Sequence, residues 1–96
     1  MGTAAVKCMM MKSGYDDLMI PVGSFQVFKR RDGTLGIQVV TRRIDLAGAI
    51  ADRANGYVSL MAIVNGKTET LGTAKVSKIR MDEGPTNRSI TIQAAE

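Results

Sequence analysis

The chain has 96 residues, a formal net charge of +4, one cysteine and no histidine. That length suits one domain with one modest core. Without histidine the chain builds neither a Ser/His/Asp nor a Cys/His triad, nor a zinc site of the Cys/His type, and one cysteine excludes an intrachain disulfide. No cofactor or metal is expected. The 13 Lys and Arg against 9 Asp and Glu keep a small domain soluble, and they permit an anionic partner without requiring one. No apolar run approaches the ~18–20 residues of a membrane-spanning helix, so no membrane insertion is expected. Lys7 and Lys12 flank a short Met-rich run with no cleavage site after it, so a signal peptide is not expected either.

Ala4–Met11 is apolar around Lys7 and reads as a strand or a short helix. A single β-barrel domain over 1–96 is expected, with residues 1–17 as an N-terminal arm, or a first strand and its loop, and 18–96 as the barrel. Leu18–Val22 is extended, and Pro21 places it at an edge or strand end. Ser24–Arg30 and Thr34–Thr41 predict a hairpin turned at Asp32-Gly33, with Leu35, Ile37 and Val39 on the core face. From Asp45 to Asn55 the period becomes helical, with Asp45 as the expected N-cap and Asn55-Gly56 as the stop. Tyr57–Val64 is apolar at both parities and predicts a central strand buried on both faces. Asn65-Gly66 is a strong hairpin signal. Lys67–Leu71 follows as a more exposed strand, with a bend or bulge at Gly72. Thr73–Met81 is a further strand, and its shifting parity places a bulge near Ser77. A turn-rich loop over Asp82–Asn87 leads into a last strand, Arg88–Ala94, with Ile90, Ile92 and Ala94 inward. The fold class expected is mainly β: a small antiparallel, split β-barrel of about six strands with one short α-helix.

Four groups of residues stand out as candidate contacts. Lys29, Arg30, Arg31, Arg42 and Arg43 cluster around one predicted hairpin, where they meet phosphates or acidic partners or are simply solvated strand-end charges. They fall at opposite strand ends if that hairpin is straight, so one patch is not assured. Asp82 and Glu83 fall short of a calcium-loop pattern and read as turn residues, with Arg80 and Arg88 placed to pair with them. The adjacent acids Asp16 and Asp17 point apart in an extended segment and read as loop charges. Met9, Met10 and Met11 suit either an adaptable docking surface or core filling, and Cys8 beside them reads as a buried, inert thiol.

Two stretches carry a resemblance. Leu18-Met19-Ile20-Pro21-Val22-Gly23-Ser24-Phe25-Gln26 is an "IPxSSFQ"-like entry into a strand. Ile79–Ile92 is a strand, a D-x-G-P turn at Asp82–Pro85, and then Arg88-Ser89-Ile90-Thr91-Ile92. Between them a strand ends in Asn65-Gly66. This resembles small tail proteins of tailed bacteriophages and the split-barrel domains of their baseplate hub proteins. The resemblance spans roughly residues 18–94. It departs where Gln93-Ala94-Ala95 replaces a small-residue-plus-Gly ending, and in the Met-rich N-terminal segment.

The resemblance implies a structural virion protein of a phage tail or baseplate, with no catalysis. Such a protein is made in the host cytoplasm and located in the virion tail. Its partners are other tail proteins and further copies of itself in a ring or hub, with contact to DNA in a tail channel as a further implication. The interaction residues expected are Met9, Met10, Met11, Arg30, Arg31, Arg42, Arg43, Asp82, Glu83 and Arg88, with the edge of Ala4–Met11 completed by another chain. The alternative is a small basic nucleic-acid-binding barrel of the OB or Sm-like type, which requires basic residues and Phe25, Phe28 or Tyr57 on one exposed face.

Overall fold

Turn chemistry sets most of the strand pairing. Asn65 and Gly66 both take positive φ, 53° and 79°, which twists the two-residue turn to match its flanking strands. Gly33 at φ 86° closes the Arg30–Thr34 turn, where the Gly33 amide donates to the Arg30 carbonyl and the Arg30 amide to the Thr34 carbonyl. The computed structural model describes the backbone of residues 4–96. The first three residues of the expected arm lie outside the described residues. The strands are β1 (Ala4–Met11), β2 (Leu18–Ile20), β3 (Ser24–Lys29), β4 (Leu35–Thr41), β5 (Tyr57–Val64), β6 (Lys67–Glu83) and β7 (Arg88–Ala95). A 3₁₀ turn at Ile44–Leu46 and the short helix α1 (Ala47–Asp52) link β4 to β5.

All pairings are antiparallel, in one sheet of order β2-β1-β5-β6-β7-β4-β3. Its two edge strands are consecutive in sequence, with only Pro21, Val22 and Gly23 between them. Those residues span at most about 14 Å, whereas seven flat strands put the edges about 29 Å apart. The sheet is therefore rolled, with a seam between β2 and β3 that backbone hydrogen bonds do not close. The extents of 38 × 33 × 30 Å agree with a roll rather than a slab. The mainly β expectation with one short helix holds; the split barrel of about six strands is a single antiparallel sheet of seven that is not closed.

The inner face carries the core: Cys8, Met10, Ile20, Ile37, Val39, Val58, Leu60, Ala74, Val76, Ile90, Ile92 and Ala94, capped by Ile50 of α1. Leu35, Ile37 and Val39 share the inner face as their alternation predicts. In β7, Ile90, Ile92 and Ala94 do the same. The bulge expected near Ser77 is present as a register shift between Val76 and Lys78. The irregularity expected at Gly72 falls one residue earlier, where Leu71 is left out of register opposite Leu60 and Met61. Gly72 itself lets β4 pass close by, because a Cβ there sits 2.5 Å from Leu35 Cδ2.

Four expectations are corrected. Ala4–Met11 is the first strand, one of the two readings, but neither an arm nor an open edge, because it pairs with β5 along its length and with β2 at Cys8–Met10. Lys67–Leu71 and Thr73–Met81 form one bent strand of 17 residues that pairs first with β5 and then with β7. β5 is central but buried on both faces only around Val58, Ser59 and Leu60; Tyr57 and Val64 at its ends are exposed. Asp45 does not cap the helix. Its carboxylate accepts from the Arg43 guanidinium at 2.9 and 2.7 Å instead, and neither the 3₁₀ turn nor α1 has a side-chain cap. That paired guanidinium holds the exposed Asp45 carboxyl below its usual range.

Arg53 fixes the end of the roll, and the sequence gives no hint of it. It is 8% exposed, and its guanidinium donates twice to the Asp16 carbonyl, at 2.9 and 2.6 Å, and once to that of Ala49, at 2.7 Å. Tyr15 stacks on it, with Lys12 over the same ring. The β1–β2 loop is thereby tied to α1. Replacing Arg53 by Met keeps the stem and removes the donors. An expected loss of about 2–3 kcal/mol follows for charged hydrogen bonds, measured by urea unfolding.

Candidate functional site

The open edge of β3 is the surface least like the rest of the barrel. Antiparallel strands alternate their hydrogen bonds from side to side. The Arg30–Thr34 bond fixes that alternation for β3, so Ser24, Gln26 and Phe28 bond to β4. The Glu96 amide bonds the Leu35 carbonyl, so Leu35, Ile37 and Val39 face β7, which leaves Gly36, Gln38 and Val40 for β3. Phe25, Val27 and Lys29 therefore point their backbone N–H and C=O groups out of the sheet. An edge of this kind is a template for another strand.

The side chains reinforce the point. Phe25 and Val27 lie opposite Val39 and Ile37, on the face that is core elsewhere. Yet they are 41% and 38% exposed, because among the described residues no strand continues the sheet beyond them. Phe28 points to the other face, and its ring lies across Gly36. Beside them an open groove of about 410 Å³ is lined by Val27, Phe28, Lys29, Gly33, Leu35 and Glu96. The opposite edge, β2, presents Met19 at 46% exposure, with Asp16 and Asp17 exposed just before it.

The structure separates the expected basic cluster. Arg30 and Arg31 lie at the β3–β4 turn, and Arg42 and Arg43 follow the far end of β4, about 23 Å away at strand spacing. Arg43 is paired with Asp45. Arg42 instead joins Asp82 and Arg88 in a recess of about 370 Å³, together with Val40, Asn87 and Ser89. Arg80 pairs with Asp82 at 3.3 Å, and Glu83 stands opposite Arg88 in the ladder. Of the methionines, Met10 is fully buried and belongs to the core, which corrects its place among interface residues. Met9 and Met11 lie on the outer face and are partly exposed. Met9 stands beside Met19 in the ladder.

Cys8 is fully buried, and burial pushes its thiol up to about 12. At neutral pH it is protonated, as an inert core thiol should be. An aromatic disulfide reagent is expected to leave Cys8 unmodified in the folded protein and to react with it stoichiometrically in denaturant. Prompt labelling without denaturant contradicts this placement. Among the described residues no group of three or more His, Cys, Asp or Glu side chains is placed to hold a metal ion. No helix among them is long and apolar enough to cross a membrane.

The outer face of β6, β7, β4 and β3 is polar. Gln38, Lys78, Arg80, Thr91 and Gln93 line one recess of about 180 Å³. Phe28, Arg30, Gly36 and Ser77 meet the same Gln93 in the next recess, of about 260 Å³. Comparison of the chain with protein-family models, with curated proteins and with solved structures finds no match.

Proposed function

We propose that this protein is a structural assembly module of a bacteriophage tail or baseplate, located in the virion, whose work is to pack against copies of itself and against other tail proteins. The observation that supports this reading most is the unfinished barrel at β3. Backbone donors and the half-exposed Phe25 and Val27 sit where a further strand would complete the sheet. A small domain with such an edge is a liability alone and an advantage in an assembly. The resemblance of Leu18–Gln26 and Ile79–Ile92 to tail and hub proteins supplies the phage context. Catalysis has no part in this reading.

A second reading, binding of single-stranded nucleic acid, is favoured by the outer face, where Phe28, Arg30, Lys78 and Arg80 surround Gln93. Of the other aromatics the alternative invoked, Phe25 faces inward and Tyr57 lies on β5, so stacking there falls to Phe28 alone. Native mass spectrometry of the full chain, with and without an oligonucleotide, separates the readings. Concentration-dependent oligomers without DNA are the expected result. A monomer that binds the oligonucleotide, with affinity falling steeply as salt rises, overturns the assembly reading in favour of the second.

A further inference from the structure

We infer that the open edge of β3 accepts the β2 edge of a second copy of this chain, head to tail, in an antiparallel pairing. The inference rests on the assembly reading and names its contact. The backbone alternation fixes what β2 offers. The Val76 amide donates to the Gly56 carbonyl, and following the ladder from there through β5 and β1 leaves Leu18 and Ile20 bonded to β1. Asp17 and Met19 therefore face outward, as does Pro21, which has no amide to lose. On β3 the outward residues are Phe25, Val27 and Lys29.

Outward residues must meet outward residues, which limits the antiparallel registers. One of them sets Met19 of one copy opposite Val27 of the next. It then places Asp17 opposite Lys29 and Asp16 beside Arg30. The half-exposed Met19 and Val27 cover each other, and both acids meet bases. Asp16, Asp17, Lys29 and Arg30 are all exposed, and none of them is engaged in an ion pair within the chain among the described residues. Self-pairing of β3 about a two-fold axis lacks this match, because its bases then face the uncharged start of the same strand. The two edges differ, so the contact is heterologous, which gives rings where the rotation closes and filaments where it does not.

Charge exchange tests the pairing. One variant carries Asp16→Lys and Asp17→Lys, and the other carries Lys29→Glu and Arg30→Glu. Each alone sets like charges across the contact and is expected to weaken association about tenfold or more, read by sedimentation at low ionic strength. An equimolar mixture restores opposite charges at every contact and is expected to assemble again. Val27→Pro removes an outward amide without touching the β4 ladder and is expected to abolish assembly while thermal unfolding stays cooperative. If wild type assembles and these variants assemble equally well, or the mixture stays dissociated, this contact is wrong and the assembly reading stands. If wild type is monomeric at every concentration, both fall.

Discussion

Leu60→Ala is expected to lose about 3–4 kcal/mol. Leu60 is fully buried on the central strand β5, between β1 and β6. Its side chain belongs to the core that the described residues form. Leu60 stands opposite Cys8 on β1 and Gly72 on β6, on strands whose ladders prevent collapse around the cavity. A domain of this size has roughly 5–14 kcal/mol of stability in all, so the loss is a large share of it. The midpoint of thermal unfolding is expected to fall by more than about 12 °C. A shift within a few degrees contradicts the placement of Leu60 at the centre of the roll.

Gly56→Ala is the second large effect, and it arises from a different cause. Gly56 follows Asn55, which takes the left-handed conformation at φ 65°, so the helix stop is made by the asparagine. The glycine is needed for space. A Cβ on Gly56 collides with the Met11 carbonyl at the end of β1 and stands 3.1 Å from that of Arg53. Both are backbone, and Met11 is held by its ladder to Tyr57, so neither yields cheaply. The Gly56 carbonyl also accepts the Val76 amide at 2.9 Å, so any shift disturbs β6 as well. About 3 kcal/mol or more is expected to be lost in urea unfolding, above the usual range for an added methyl in a core. By contrast Gly66→Ala, at the exposed hairpin tip, strains one turn and touches nothing within 4 Å. It is expected to cost about 1 kcal/mol.

Local chemistry was readable in the sequence, and long-range order was not. Asp32-Gly33 and Asn65-Gly66 announce their turns because Gly33, Asn65 and Gly66 must take positive φ there. The slip between Val76 and Ile79 announces its bulge because a half-buried strand keeps strict alternation. Which strands become edges is another matter. Ala4–Met11 reads as a strand or a short helix and the stretch from Ser24 as a strand, but only the rolled topology puts the first inside the sheet and the second at its end. For the same reason the exposure of Phe25 and Val27 was not legible, since alternation tells which face a side chain is on and not whether anything covers it. The outer-face positions of Met9 and Met11 were legible as one of two readings, while Met10 between them went to the core by the same alternation. Arg53 was invisible, because an arginine near a helix end ordinarily reads as a solvated charge. Its carbonyl partner, on Asp16, lies 37 residues away. Asp16 and Asp17 read as loop charges alone; they gain a complement only when the β2 and β3 edges are compared across two molecules.

Hydrogen exchange along β3 at increasing protein concentration tests the central claim, that this barrel is completed by another chain, most directly. Slow exchange is expected at Gln26 and Phe28 at every concentration, since their amides belong to the β4 ladder. Fast exchange is expected at Phe25, Val27 and Lys29 in dilute solution, with protection of all three as the chain assembles. Oligomers that form while those three amides keep exchanging freely contradict it.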